Sequence, residues 1–386
     1  MEVYMKNFEF SVPQNIIVGK GSIGRLGEVG AKLGGKHAYI ISGPVLNKLG
    51  TVQKCMNSLE AAGIKADAFT ETEGNPSVET VEKAKCGFLE SGADFIVALG
   101  GGSPVDVAKA VGVVAKYGGS ITEYEGGGKV PGDIVPLIAI PTTAGTGSEV
   151  TAFSVITDHS RNYKLTVFSY KLLPTYAILD PDMITTAPAS VAAACGIDAM
   201  IHAIESYIST AASPFSDAMA EKALELIGKN IRRYVANRKD EEAAAAMQMG
   251  SLFAGIAFSW ARLGDVHAMS HPVSAHFNVP HGVANAILLP TIMEYNALAD
   301  HGKYLKIYNY IAKNPAYEEE FVPEMLVEEL KDLNASLGIP ESLSKVGVEE
   351  DRFDVMADAA MMSGNIAVNP RSTTKKDVIS LYQRAF

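Results

Sequence analysis

Up to about residue 182, short apolar runs alternate with segments of helical period. His37–Ser42 (HAYIIS) reads as a strand and ends in Ser-Gly-Pro, a turn signal. Val52–Ala62 has helical spacing and stops at Gly63; Val78–Ser91 repeats that style and stops at Gly92. Phe95–Leu99 (FIVAL) predicts a buried strand running into three glycines, and Val105–Val114 predicts the helix that follows. Leu137–Ile140 and Tyr176–Leu179 complete the strand candidates. Strands separated by helices predict a parallel sheet covered on both faces.

The texture changes near Asp180–Met183. Beyond it β-branched runs become scarce, and apolar residues recur at helical spacing over Ser190–Thr210, Ser216–Asn237, Glu242–Ser259 and Tyr317–Leu337. The reading is an α/β domain over residues 1–182 and an all-helical domain over 183–386, which suits a chain of 386 residues. No internal repeat or low-complexity tract interrupts either half.

Composition narrows the function classes. Apolar residues make up 47% of the chain, enough for a large core, and the 20% of charged residues are mixed along it, unlike a disordered chain. A net charge of −11 argues against nucleic acid and against an anionic membrane surface as partners. No apolar run approaches the roughly 18 residues expected of a membrane span. Glu2, Lys6 and Glu9 break the opening stretch Met1–Phe10, unlike a secretory leader. Cys55, Cys86 and Cys195 are scattered and odd in number, which fits a reducing cytoplasm and rules out CxxC metal ligation.

Two segments suit a phosphate-bearing ligand. Gly100-Gly101-Gly102-Ser103-Pro104 joins a strand to a helix, with Ser103 suited to the N-cap and Pro104 to the first helical position. Free N–H groups and the positive end of the helix dipole would then face an anion. The plainer reading is a tight turn, and the segment is not the GxGxxG fingerprint. Pro141–Glu149 (PTTAGTGSE) follows another strand and is mostly glycine or side chains bearing oxygen, either a cofactor wall or a solvated loop. Two such loops at strand ends favour a cofactor, because ligands in open α/β sheets bind there.

The helical half carries a different signal. Asp198 and His202 sit four apart, on one helical face, inside the otherwise apolar VAAACGIDAMIHAI. A carboxylate there is costly unless it is paired or binds a metal. His267, His271, His276 and His281 follow within fifteen residues. His267 and His271 form an HxxxH pair on a segment expected to be helical up to a bend at Pro272, whereas His281, between Pro280 and Gly282, reads as a turn residue. Either could supply ligands. His276 lies in an apolar–aromatic stretch and reads as structural, as do His37, His159 and His301. One aspartate with several histidines suits a first-row divalent ion, and such donors alone admit Fe(II), Zn, Mn, Co or Ni.

Gly100–Ala110 (GGGSPVDVAKA), Pro141–Thr151 (PTTAGTGSEVT), Gly196–Tyr207 (GIDAMIHAIESY) and Val266–Pro290 (VHAMSHPVSAHFNVPHGVANAILLP) together resemble the iron-containing (group III) alcohol dehydrogenases. The resemblance spans essentially the whole chain. It implies an N-terminal dinucleotide-binding domain, a C-terminal metal-binding domain and an active site in the cleft between them. It also implies Fe(II), held by Asp198, His202, His267 and His281, with His271 near the nicotinamide. Gly101, Gly102 and Ser103 would take the pyrophosphate of NAD or NADP. Thr142, Thr143 and Thr146 would line the cofactor, and Lys164 would touch it. The expected reaction is hydride transfer between NAD(P)(H) and a small alcohol or aldehyde.

Two positions depart from the family pattern. Gly43 stands where many NAD-preferring relatives carry an aspartate that would repel a 2′-phosphate, so NADPH is a candidate cofactor. Trp260–Asp265 (WARLGD) replaces smaller or apolar residues and puts the substrate range in question. A dehydroquinate synthase-like lyase would need more basic residues than the apolar Phe253–Trp260 region offers. Glycerol dehydrogenase, usually a zinc enzyme, matches the last motif less well, and a non-enzymatic binding protein is the remaining rival. Relatives imply a homodimer or larger homo-oligomer, and Phe8–Val18 is a candidate to pair across a two-fold.

Overall fold

The computed structural model describes residues 8, 12, 14–161 and 163–386. These form two compact units, Gln14–Ala187 and Pro188–Phe386. Within Phe8–Val18, residues 9–11 and 13 lie outside the described residues, and its end, Asn15–Val18, is the first strand.

The first unit contains strands β1 Asn15–Val18, β2 His37–Ser42, β3 Lys65–Phe69, β4 Phe95–Gly100, β5 Gly126–Gly127, β6 Leu137–Pro141, β7 Phe153–Asp158, β8 Tyr163–Phe168 and β9 Tyr176–Leu179. Its helices are α1 Leu26–Lys32, α2 Pro44–Lys48, α3 Thr51–Ala61, α4 Val78–Ser91, α5 Gly102–Tyr117 and α6 Pro181–Ile184. Six strands form one sheet in the order β1-β9-β6-β4-β2-β3, every pair parallel. The central β4 is buried along its whole length, which explains its unbroken apolar run. Its alternate side chains feed two cores, Ile96 and Ala98 on one face and Phe95, Val97 and Leu99 on the other. Each such Leu or Ile side chain contributes roughly 1.5–3 kcal/mol when fully buried.

Successive strands are added to one side of β2 and then to the other, so the order reverses between β2 and β4. A crevice at the carboxyl ends of strands at such a reversal is where open α/β sheets take ligands. The chain leaves it at Gly43 from β2 and at Gly101 from β4. A smaller sheet, β5-β8-β7, includes an antiparallel pair that the strand–helix alternation did not announce.

The second unit is helical: α7 Ala189–Ile208, α8 Pro214–Ala236, α9 Glu241–Ala261, α10 Asp265–Phe277, α11 His281–Asn296, α12 Lys303–Ile311, α13 Pro323–Ser336, α14 Phe353–Met361 and α15 Lys375–Arg384. The expected helix Tyr317–Leu337 begins only at Pro323, a residue suited to a first turn. Ser213 and Asp240 cap α8 and α9 by accepting the Ser216 and Ala243 N–H groups. α7 packs against α8, α9 and α11. By length and composition α7 and α9 could each cross a membrane, although polar residues such as Asp198, His202 and Glu205 interrupt α7 and Glu241 and Glu242 open α9. Some 83% and 72% of their most apolar stretches are buried within the protein, as expected of core helices.

Candidate metal and cofactor sites

Asp198 and His202 lie one turn apart on α7, His267 opens α10 and His281 is the first residue of α11. Asp198, His202 and His267 are nearly sealed, at 3%, 4% and 1% exposure. The Nε2 atoms of His202, His267 and His281 stand 3.9, 3.6 and 3.9 Å from the same oxygen, Asp198 Oδ1. These gaps are too long for hydrogen bonds. They match the edges of a coordination shell, roughly 3–4 Å when metal–ligand bonds are about 2.1 Å. Donor atoms of Asp198, His267 and His281 all fall within 4.8 Å of one another. His202 adjoins this group with its ring stacked on His267, centroids 4.7 Å apart, and lies 4.4 Å from the Phe258 ring.

Electrostatics favour a cation at this point. Burial pushes the Asp198 carboxyl up, but His202, His267 and His281 outweigh it and hold it far below the usual carboxylate range. Burial pushes the His267 imidazole down, but Glu205 and Asp198 prevail and raise it to about 9. A buried carboxylate and three imidazoles that converge without satisfying one another fit a divalent ion, which takes the place of such a proton.

His271 lies one turn beyond His267, half-buried, its ring centroid 5.2 Å from His281 and 6.2 Å from His267. The convergent group contains His267 and His281 but neither His271 nor His202, though His202 has a ring nitrogen 3.9 Å from Asp198 Oδ1. Helix α10 continues through Pro272 to Phe277 instead of ending there, and His281 begins a helix instead of standing in a turn. Gly282 permits that start: a Cβ on it would stand 2.1 Å from the Ala194 carbonyl oxygen on α7.

Two residues at this centre were missed by sequence reasoning. Asn285 Nδ2 donates to Asp198 Oδ1 at 2.7 Å and lies 3.1 Å from Nε2 of both His267 and His281. Glu205 Oε2 meets His267 Nδ1 at 2.5 Å, and its Oε1 accepts the Val266 N–H at 2.7 Å. Spacing could have found both. Glu205 follows Asp198 and His202 on one face of α7, and Asn285 sits one turn after His281.

In the α/β unit, Gly100 and Pro141 are register partners on β4 and β6, so the two polar loops leave the sheet side by side. A Cβ on Gly101 would meet Thr143 Oγ1 at 3.1 Å, and one on Gly102 would meet Thr146 Cγ2 at 2.8 Å. The loops therefore touch through glycine backbone, as a cradle for a flat or anionic ligand requires. Helix α5 begins at Gly102 with Gly101 as N-cap and no side-chain cap. Ser103 and Pro104 thus lie inside the first turn, two residues later than expected, because glycine backbone alone starts the helix. Thr142 is buried beside these loops, its N–H bonded to the Gly100 carbonyl at 2.9 Å.

Below the threonine loop lies a buried ionic network. Lys109 Nζ donates to Ser148 Oγ, Thr151 O and Phe153 O at 3.2, 2.9 and 2.8 Å, and Ser148 Oγ donates to Asp106 at 2.6 Å. Burial lowers the Lys109 ammonium to about 8, partly offset by Asp106 and Glu149. Lys164 Nζ donates to Asn75 Oδ1 at 2.8 Å. Gly43 is extended, at φ −102° and ψ 165°, where a Cβ would meet the Thr72 carbonyl oxygen at 3.1 Å.

A parallel sheet with paired glycine and threonine loops, and a helical unit with a buried aspartate–histidine cluster, define a nicotinamide-linked, metal-dependent oxidoreductase. The family model described as iron-containing alcohol dehydrogenase matches residues 13–181. That of the C-terminal part of the Fe-containing alcohol dehydrogenase family matches residues 192–386. The chain is 37% identical to 1,3-propanediol dehydrogenase of Citrobacter freundii over 382 residues, covering 98% of this chain and 99% of that one. It is 38% identical to lactaldehyde reductase of Escherichia coli K12 over 371 residues, covering 95% and 97%. A crystal structure of 1,3-propanediol oxidoreductase superposes with a TM-score of 0.95 at 36% identity, covering 99% and 100%. The chain belongs to the iron-containing alcohol dehydrogenase family. It is an enzyme of that type, interconverting alcohols and aldehydes with NAD(P)(H) and iron or a related divalent ion.

Proposed function

We propose that this enzyme reduces small, fairly apolar aldehydes, or oxidises the matching alcohols, with Fe(II) held by Asp198, His202, His267 and His281. The observation that carries this is the convergence of three imidazole nitrogens on one buried carboxylate oxygen. When bound, the ion lowers the pKa of an alcohol hydroxyl or polarises a carbonyl, and the nicotinamide takes or gives the hydride. The four side chains fix the ion, and the apolar wall from Phe253 to Trp260 excludes water from an uncharged substrate. His271, one turn along α10, orients the nicotinamide end or relays the alcohol proton at its imidazole.

Gly101, Gly102 and Ser103 offer backbone N–H groups to the pyrophosphate at the α5 N-terminus. Thr142, Thr143 and Thr146 line the cofactor, and Lys164 contacts it. Gly43 carries no carboxylate to repel a 2′-phosphate, so NADPH is accepted as well as NADH. In functional terms, residues 1–182 serve the dinucleotide and residues 183–386 the metal and the chemistry. Scattered free cysteines and an acidic surface suit a cytoplasmic homodimer or larger homo-oligomer that binds neither nucleic acid nor membrane.

The test is anaerobic loading of the metal-free protein with Fe(II), followed by NADH and NADPH oxidation with short aldehydes. The expected result is turnover that needs the ion and rises with aliphatic chain length over the smallest members. Equal rates with and without metal, or no turnover with any short aldehyde, sink the proposal.

A further inference from the structure

Glu205 is buried to 2% exposure, yet both its oxygens are aimed at the first turn of α10. One accepts the Val266 N–H, among the amides that a helix start leaves without an intrahelical acceptor. The other meets the ring nitrogen of His267 that faces away from Asp198. Gly264 makes room for this, since a Cβ there would come within 3.0 Å of Glu205 Oε1.

An imidazole binds a metal through a nitrogen that carries no proton, so its proton must sit on the other nitrogen. A carboxylate at Nδ1 holds the proton there, fixes the ring plane and raises the basicity of Nε2. The same carboxylate ties α7, which carries Asp198 and His202, to α10, which carries His267. We propose that Glu205 is a positioning residue of the metal centre: it sets the tautomer and direction of His267 and so determines how tightly the ion is held. This rests on the four-residue reading of the site.

The substitution to use is Glu205→Gln. A carboxamide keeps the shape but has one acceptor oxygen for two donors, so either Val266 N–H or His267 Nδ1–H loses its partner. Ser206→Ala, in the same turn of α7, removes a buried hydrogen bond to the Ala203 carbonyl and serves as the control for structural loss. Zn(II) affinity is read by chelator competition on the metal-free full chain. Selective histidine ¹⁵N labelling reads the tautomer of His267 in the zinc-loaded protein.

Glu205→Gln should bind Zn(II) on the order of 10–100-fold more weakly and lose the protected Nδ1–H signal, with Ser206→Ala within about threefold of the parent. The proposal is overturned if Glu205→Gln stays within about threefold too, or if Ser206→Ala weakens binding equally. If His267→Ala holds Zn(II) as tightly as the parent, it is the four-residue reading that fails.

Discussion

The two halves of this enzyme build their sites from different materials. In the α/β unit the candidate cofactor contacts are mostly backbone and hydroxyls, presented by two loops that follow neighbouring strands. In the helical unit they are side chains from α7, α10 and α11, focused to a few ångströms, with the α7 and α10 members buried and His281 on α11 partly exposed. Backbone contacts follow from the fold itself and are tuned by what stands beside them. Side-chain contacts depend on the identity of single residues and on the partners that aim them. Substitutions should therefore be severe and specific in the helical unit, and graded in the α/β unit.

The strongest challenge to that contrast is His267→Ala. It should lose bound metal and reduce kcat/KM on the order of a thousandfold, since an ion supplies several kcal/mol of charge stabilisation. Full metal by elemental analysis together with full turnover would dissolve the helical half of the comparison. His271→Ala should keep the metal and lose rate about a hundredfold, the lower range for a positioned acid–base group. Metal loss there would exchange its role with that of a ligand.

Gly282→Ala asks whether backbone matters in the helical unit as well. The added methyl meets the Ala194 carbonyl at 2.1 Å, so α11 must move from α7. Thermal denaturation should show a loss of about 1–3 kcal/mol, the usual cost of overpacking, accompanied by weaker metal binding. An unchanged melting temperature means that the helix contact is looser than described. In the other unit, Gly102→Ala presses on Thr146, whose Cγ2 and Cβ would stand 2.8 and 3.2 Å from the added methyl, so the two loops must part slightly. It should raise the KM for the dinucleotide about tenfold, roughly 1.4 kcal/mol, and leave metal content untouched. Gly43→Asp should have the smallest effect on total activity. Its extended φ suits aspartate once the Thr72 carbonyl, 3.1 Å from the new Cβ, gives a few tenths of an ångström, and the NADPH to NADH ratio of kcat/KM should fall by about tenfold. An unchanged ratio removes Gly43 from cofactor choice.

The same contrast explains what was legible in the chain. Strands such as FIVAL are apolar on both faces because helices cover both, so the parallel sheet announced itself. β3 (KADAF) lies at the sheet edge with little burial, and β7 and β8 belong to a small side sheet, so neither carried such a run. Asp198 and His202 stood out because polar residues are costly in an apolar helix. Glu205 satisfied the same test and, three positions past His202, lies on the same face, but its partner lies 62 positions away on another helix. Helix boundaries at Gly102 and His281 slipped because backbone and tertiary contacts, not capping side chains, decide them. Pro272 stays within α10 because burial of the helix outweighs one lost amide bond.

The shared register of Gly100 and Pro141 has a practical consequence for anyone recombining members of this family. Pairing on β4 and β6 acts as a ruler: slipping either strand by one residue shifts its loop by about 3.3 Å and turns its side chains to the opposite face. Chimeras should accordingly tolerate exchange of both loops with their strands as one cassette, whereas a lone insertion in either strand would separate the glycines from the threonines that brace them.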